Sequence, residues 1–197
     1  MTVVRRIAFL STAVAFFFLG CSSKPEADAG NLSDLINQKL DKRSMCIEVG
    51  KLPGKVYDSG GKDLNDLLVT AGLLDRSSVK EGYSRYKVYS LSALGTPYYH
   101  DNKNLCYATL EITEVKSFSA PGTGADGRFV SHVEYSYHAK DIAPWALKDE
   151  IKGNYIRVRQ VIESRQTPLS ATASLSRTDK GWQVDDLGIR EVWGKPL

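Results

Sequence analysis

The segment LCYATLEIT, residues 105–113, is the clearest strand signal in the chain because its polarity alternates from one residue to the next. Successive side chains of a β-strand point to opposite faces of the sheet. One face of this segment would therefore carry the smaller apolar side chains, Cys106, Ala108, Leu110 and Ile112. The alternation shifts by one residue at Val115, which predicts a β-bulge near Thr113 or Glu114. The stretch is typical of a half-buried antiparallel strand.

The residues on the C-terminal side of this stretch predict more strands and one helix. Apolar residues alternate with polar ones over 129–138, which predicts a second strand. The glycines and proline of 120–127 predict a flexible loop before it. Apolar residues recur at helical spacing over 147–162, which predicts one helix weakened at Gly153. Residues 171–184 predict a hairpin with Gly181 in the left-handed position of its loop.

The residues on the N-terminal side predict two amphipathic helices. The first spans 31–43 and begins at Asn31. The second begins at Lys62 and ends at Gly72, a residue suited to a left-handed helix cap. Residues 50–61 are rich in Gly, Pro and Asp and predict a loop, and alternation over 86–91 predicts a strand. Helices followed by strands predict an α+β fold, an antiparallel sheet with helices packed on one face.

Part of this region resembles a known DNA-binding module. The segment LNDLLVTAGLL, residues 64–74, followed by YSLSALG, residues 89–95, resembles the helix and wing of winged-helix regulators. The resemblance implies a way of packing rather than DNA binding, because the chain lacks the density of Lys and Arg that such modules use.

The first twenty residues have the layout of a signal peptide. Arg5 and Arg6 precede an uncharged, mostly apolar run over 7–20. This run is shorter than the about 20 residues that a membrane-spanning helix needs. An ordinary secretory signal is one interpretation of this layout.

The end of the run, FLGC at residues 18–21, resembles the lipobox of bacterial lipoproteins, and Gly20 and Cys21 match that pattern. The resemblance implies cleavage before Cys21 and lipid on that cysteine, which would anchor the chain in a membrane. Ser22 after the cysteine implies the periplasmic face of the outer membrane. The predicted organisation is thus a signal peptide over 1–20, a tether over 21–30 and a single α+β domain over 31–197.

The cysteines follow from that assignment. The chain has three, and lipid on Cys21 leaves Cys46 and Cys106. An even pair in an oxidising compartment predicts a disulfide. The alternative is a pair of buried free thiols.

Charge and motifs exclude several kinds of partner and chemistry. Loss of residues 1–20 lowers the basic residues from 26 to 24 against 23 acidic ones, so we expect no nucleic-acid partner. His132 and His138 would lie about 20 Å apart on one strand and could not share a metal ion. We expect no metal and no cofactor, and no motif singles out a catalytic residue.

The ten tyrosines are the remaining feature, because aromatic side chains are favoured at binding surfaces. Tyr98 and Tyr99 follow Gly95 and Pro97 in a predicted loop, which makes them the candidate binding residues.

These features together favour a non-enzymatic binding or structural protein of the envelope, with a protein or peptidoglycan as its partner. The alternatives are an inhibitor or immunity protein against a cell-wall enzyme or toxin, and an enzyme acting on envelope glycans. Two convergent carboxylates with raised pKa values would favour the enzyme, and a flat aromatic patch would favour binding.

Overall fold

The structure is a computed structural model that describes residues 28–189. These residues contain ten strands and four α-helices. The predicted signal peptide, Cys21 and most of the predicted tether lie outside the described residues. The helices are α1 (Ala29–Leu40), α2 (Leu64–Thr70), α3 (Asp149–Asn154) and α4 (Ile156–Glu163). The strands are β1 (Met45–Glu48), β2 (Gly54–Tyr57), β3 (Leu74–Glu81), β4 (Ser84–Leu91), β5 (Tyr99–His100), β6 (Asn104–Phe118), β7 (Gly122–Thr123), β8 (Phe129–Lys140), β9 (Leu169–Thr178) and β10 (Gly181–Asp186).

The strands form two antiparallel sheets. The larger sheet has the order β1-β6-β8-β9-β10, with β5 paired to β6 and β7 paired to β8. The smaller sheet has the order β2-β4-β3. Strand β6 connects the two parts of the larger sheet. It pairs with β1 and β5 near its start and with β8 further along.

The predicted fold class is wrong. Strands hold 44% of the described residues and helices 25%, and the larger sheet curls into a half-barrel with a few helices beside it. Adjacent residues Tyr107 and Ala108 of β6 are both buried, so both faces of that strand are covered. A sheet that curls around a core covers its strands in this way, whereas we expected one solvated face.

Polar edge strands account for part of the error. Strand β2 lies in the segment 50–61 that we expected to be a loop, and β3 precedes residues 86–91, the only part of this region in which alternation predicted a strand. Both are edge strands of the smaller sheet, and every residue of β3 after Leu74 is exposed. An exposed strand buries neither face, so its sequence has no apolar period.

The predicted helix over 147–162 is also wrong in detail. A 3₁₀ helix covers Pro144–Leu147, and α3 and α4 are separate helices interrupted at Tyr155 rather than at Gly153. Tyr155 has φ −119° and ψ 88°, which is not helical. Its side chain and those of Ile151 and Val158 are nevertheless buried. Spacing alone does not reveal the break, because the inward residues are the same with or without it.

Several local predictions are confirmed. The register of β6 against β8 shifts between Ile112 and Glu114, which is the predicted bulge. The amide of Ile112 at this bulge donates to the side chain of Asn37 on α1, at 2.8 Å. Gly72 and Gly181 both have positive φ. Helix α1 forms as expected but begins earlier than predicted, because Asp28 is its N-cap.

Helix α1 fills the hollow of the curled sheet. Its buried residues Leu32, Ile36 and Leu40 recur at a spacing of four, and the helix packs against β6 and β10. The segment that resembles a helix and wing forms α2 and the β3–β4 hairpin. Among residues 28–189, no helix combines the length and the hydropathy needed to cross a bilayer.

Candidate functional site

A cleft of about 400 Å³ lies beside the start of β6, between β1, the β5–β6 turn and α4. Clefts of roughly 300–1,000 Å³ are typical of small-ligand sites. The cleft contains two of the three buried polar atoms that lack a hydrogen-bond partner among the described residues. We therefore take it as the candidate binding site rather than the larger, more apolar groove beside α2.

A disulfide between Cys46 and Cys106 forms one wall of the cleft. The two residues face each other directly in the pairing of β1 with β6. The bond therefore fixes the two strands where the cleft opens. The predicted disulfide is confirmed, although sequence alone did not indicate that it would line a cleft.

The turn between β5 and β6 forms a second wall. Asp101 and Asn102 have φ values of 54° and 55°, in the left-handed region that Asp and Asn tolerate better than most residues. This turn pairs His100 with Asn104 across the hairpin. The ring of His100 and the amide of Asn104 consequently line the same cleft.

Asn104 is the buried acceptor of the cleft. Its side chain belongs to a residue that is only 8% exposed, and its Oδ1 atom has no hydrogen-bond partner among the described residues. Most buried polar atoms in proteins are hydrogen-bonded, because an unpaired one costs about 1–3 kcal/mol. Asn104 therefore holds an unused acceptor in the wall of the cleft.

Arg157 is the complementary donor. It extends from the first turn of α4, and its Nε atom is buried with no partner within the described part of the chain. Burial raises the pKa of the Tyr107 hydroxyl, and the positive charge of Arg157 opposes that rise. The guanidinium and Tyr107 line the same cleft, and among the described residues no ion pair with a carboxylate is found for Arg157.

The rim of the cleft is mainly basic. Lys42 and His100 are exposed there, and half-buried Arg43 donates to the carbonyl of Ile189 at 3.1 Å. Asp101 is the one acidic residue among the described residues that line it. Cationic side chains around a partly enclosed cleft raise the local concentration of anions. The arrangement suits a ligand that carries a negative group.

A second polar cluster joins α2 to the smaller sheet. Asp66 of α2 accepts hydrogen bonds from Lys87 at 2.7 Å, from Arg76 at 2.6 Å and from the hydroxyl of Tyr89 at 2.9 Å. Asp63 caps α2 and also accepts from Tyr89. Asp66 and Lys87 are each only 7% exposed. The cluster therefore holds a buried charge pair at the centre of a hydrogen-bond network.

The pKa of Asp66 shows what this cluster does. Burial by itself would raise that pKa, but the hydrogen bonds from Lys87, the Asp63 backbone, Arg76 and Tyr89 outweigh burial and hold it well below the usual value. Asp66 is thus ionised at neutral pH and cannot act as a general acid, which requires a raised pKa. The convergence of Asp63 and Asp66 serves to fasten α2 to the smaller sheet.

Tyr98 and Tyr99 are half-buried and make contacts within the domain. The ring of Tyr98 meets Trp145 edge to face at 6.2 Å. The hydroxyl of Tyr99 accepts from the amide of Leu52 at 3.1 Å and donates to the carbonyl of Gly50 at 3.0 Å, which fastens the loop after β1. Their role in binding stays a prediction, and Tyr57 and Tyr83 on the smaller sheet are more exposed than either.

The histidines lie in separate contacts. His138 is hydrogen-bonded to Glu111 at 2.7 Å, and His132 to Ser174 at 3.2 Å. Over residues 28–189, no group of three His, Cys, Asp or Glu side chains is placed to hold a metal ion.

Sequence reasoning did not single out Asn104, Arg157 or Asp66. Asn104 comes just before the predicted strand, and Arg157 lies inside the predicted helix, so both resemble ordinary surface residues of their segments. Asp66 could have been found from its spacing with Asp63, because two such residues three positions apart are typical of a capping box at a helix start.

Comparison with known proteins adds no assignment. No protein-family model, curated protein or solved structure matches the chain.

Proposed function

We propose that this chain is a lipoprotein anchored at the periplasmic face of the outer membrane, and that its domain is a non-enzymatic binding module. Its cleft receives an anionic group of an envelope ligand, belonging to a protein or to peptidoglycan. The membrane part of the proposal rests on residues 1–21, and the binding part rests on the cleft.

One observation carries the binding proposal. A buried acceptor on Asn104 and a buried donor on Arg157 lie unpaired in the same basic cleft. A folded domain gains nothing from leaving both atoms unpaired. A ligand with an anionic oxygen would pair with Arg157 and would be attracted by the basic rim. The alternative of a glycan-cleaving enzyme has no comparable support, because the pKa of Asp66 is lowered rather than raised.

Arg157→Gln tests the binding site, and Arg159→Gln is its matched control. Arg159 lies on the same helix but is exposed, and it does not line the cleft. A hydrogen bond to a charged group contributes about 1.5–3 kcal/mol, so we expect Arg157→Gln to weaken anion binding about tenfold or more. The measurement is an NMR titration of the full chain with acetate and with phosphate, following the backbone amide signals of the residues that line the cleft, which both variants keep. Equal binding by the two variants would contradict the proposal.

Cys21→Ser tests the anchor. If Cys21 carries the lipid, the variant loses fatty-acid labelling in cells and moves from the membrane to the soluble fraction. Ser22→Ala is the control, because it alters the neighbouring residue and leaves the thiol in place. Labelling that persists in Cys21→Ser would rule out lipid on this cysteine.

Crosslinking in intact cells distinguishes the proposed binding module from the alternative of an inhibitor or immunity protein. A cell-wall enzyme or toxin as the captured partner would indicate the inhibitor, and capture of peptidoglycan or a structural envelope protein would support the leading proposal.

A further inference from the structure

The two unpaired atoms of the cleft require complementary hydrogen-bonding groups on a ligand. The Nε–H of Arg157 needs an acceptor, and the Oδ1 atom of Asn104 needs a donor. A simple carboxylate such as acetate brings acceptors only, so it would leave Asn104 unpaired. The complete ligand must carry both an anionic oxygen and an N–H or O–H group, because both residues line one cleft.

We propose that the cleft binds the free carboxy terminus of a peptide, an inference that rests on the proposed function and names the chemistry of its ligand. The terminal carboxylate pairs with Arg157, and the last amide N–H donates to Asn104. These two groups are attached to the same Cα atom, so a peptide end presents them at a fixed, short separation. Acetate lacks this neighbouring donor, which makes it the reference anion for the test.

The walls of the cleft suit the rest of such a ligand. The walls of the cleft are mainly polar, and the disulfide of Cys46 and Cys106 together with Met45 offers apolar contacts for the last side chain. The basic rim formed by Lys42, Arg43 and His100 favours the carboxylate over an uncharged end. The volume of about 400 Å³ is small, which suits the last residues of a chain rather than an extended surface.

Two sources could supply this chemistry in the envelope. One is the carboxy terminus of a protein, which is made of L-residues. The other is a cell-wall stem peptide, which ends in a D-residue. The shared recognition element is the terminal carboxylate with its adjacent amide, and the stereochemistry of the last residues distinguishes the sources.

The test is a calorimetric and NMR titration of the full chain with small probes. The probes are N-acetyl-L-Ala-L-Ala, N-acetyl-D-Ala-D-Ala, the C-terminal amide of each, and acetate. A fourth kind of probe replaces the last amide by an ester, which removes the N–H and keeps the carboxylate. We expect at least one free acid to bind ten times or more tighter than its amide, its ester analogue and acetate.

Variants then assign each preference to an atom. Arg157→Gln should remove the preference for the acid over the amide, and Asn104→Leu should remove the preference for the amide link over the ester. Arg159→Gln should leave both preferences intact. The ester probe needs no change in the protein, so the inference remains testable even if Asn104→Leu fails to fold.

The outcomes separate this inference from the proposed function. Tighter binding of the L-peptide supports a protein terminus, tighter binding of the D-peptide supports a stem peptide, and binding of both supports the shared chemistry. If acetate binds as tightly as every acyl dipeptide, the peptide inference is overturned and the anion cleft stands. If no anionic probe perturbs the cleft, both proposals fail.

Discussion

Asp66→Ala is expected to destabilise the domain by about 3 kcal/mol, because removal of one partner from a buried ion pair leaves the other charge poorly compensated. The charge left behind is that of Lys87, whose Nζ atom lies 2.7 Å from the carboxylate of Asp66 and keeps only the Gly61 carbonyl at 2.6 Å and the Asp63 carboxylate at 3.4 Å. The variant also removes the acceptor of Arg76 and one acceptor of Tyr89. The measurement is the free energy of unfolding in urea at neutral pH.

Two comparisons isolate the buried charge as the cause. Asp126→Ala removes an exposed carboxylate that pairs with Arg128 at 2.6 Å, and an exposed pair contributes at most about 1 kcal/mol. The double variant Asp66→Leu with Lys87→Met should recover most of the lost stability, since apolar side chains can replace a buried pair. A loss below about 1 kcal/mol for Asp66→Ala would show that Lys87 finds solvent or another partner.

The pH dependence gives a second measure of the same pair. The pKa of Asp66 is lower in the folded chain than the ordinary aspartate value of 3.8, because hydrogen bonds from Lys87, Arg76 and Tyr89 favour the ionised form. Its contribution to stability is therefore complete well above pH 3.8 and is lost as the pH falls below that value. We expect the stability of the Asp66→Asn variant to fall less steeply with acid than that of the wild type.

Replacement of the disulfide is expected to have an effect of similar size. The bond joins residues separated by 60 positions. Removal of such a crosslink costs roughly 4 kcal/mol in the chain-entropy model, because the unfolded chain regains its freedom. The variant is Cys46→Ala with Cys106→Ala, and the measurement is again the free energy of unfolding, with and without reductant.

Reductant provides the control for that experiment. It should lower the stability of the wild type toward that of the double variant and should leave the double variant unchanged. The variant should also bind anionic probes more weakly, because the bond fixes the two strands that wall the cleft. A double variant as stable as the oxidised wild type would contradict a structural role for the bond.

The sequence predicted several local elements. The alternation of residues 105–113 predicted β6 and its bulge, because successive side chains of a strand point to opposite faces of the sheet. Gly72 and Gly181 were predicted for the same local reason, since positive φ values select for glycine. The disulfide followed from the proposed compartment and the number of cysteines rather than from geometry.

The predicted fold class was wrong because the alternation of apolar and polar residues does not reveal strands with two exposed faces or two buried faces. The sequence LDRSSVKE of β3 has no apolar period, since both of its faces meet solvent. Tyr107 faces away from Ala108 and is buried all the same, because Trp145 packs on it edge to face at 6.1 Å. The curl of the larger sheet depends on contacts of this kind between distant segments.

The alternation of the core strands and the positive φ values of Gly72 and Gly181 could be predicted from the sequence, because they depend on near neighbours in the chain. The cleft and the buried charge pair could not, because their residues meet only in the folded chain. Asn104 and Arg157 come from β6 and α4, and Asp66 meets Lys87 from a position 21 residues away. A side chain's unused hydrogen-bonding capacity becomes visible only when the fold has removed water from it and fixed every neighbour that could have paired with it.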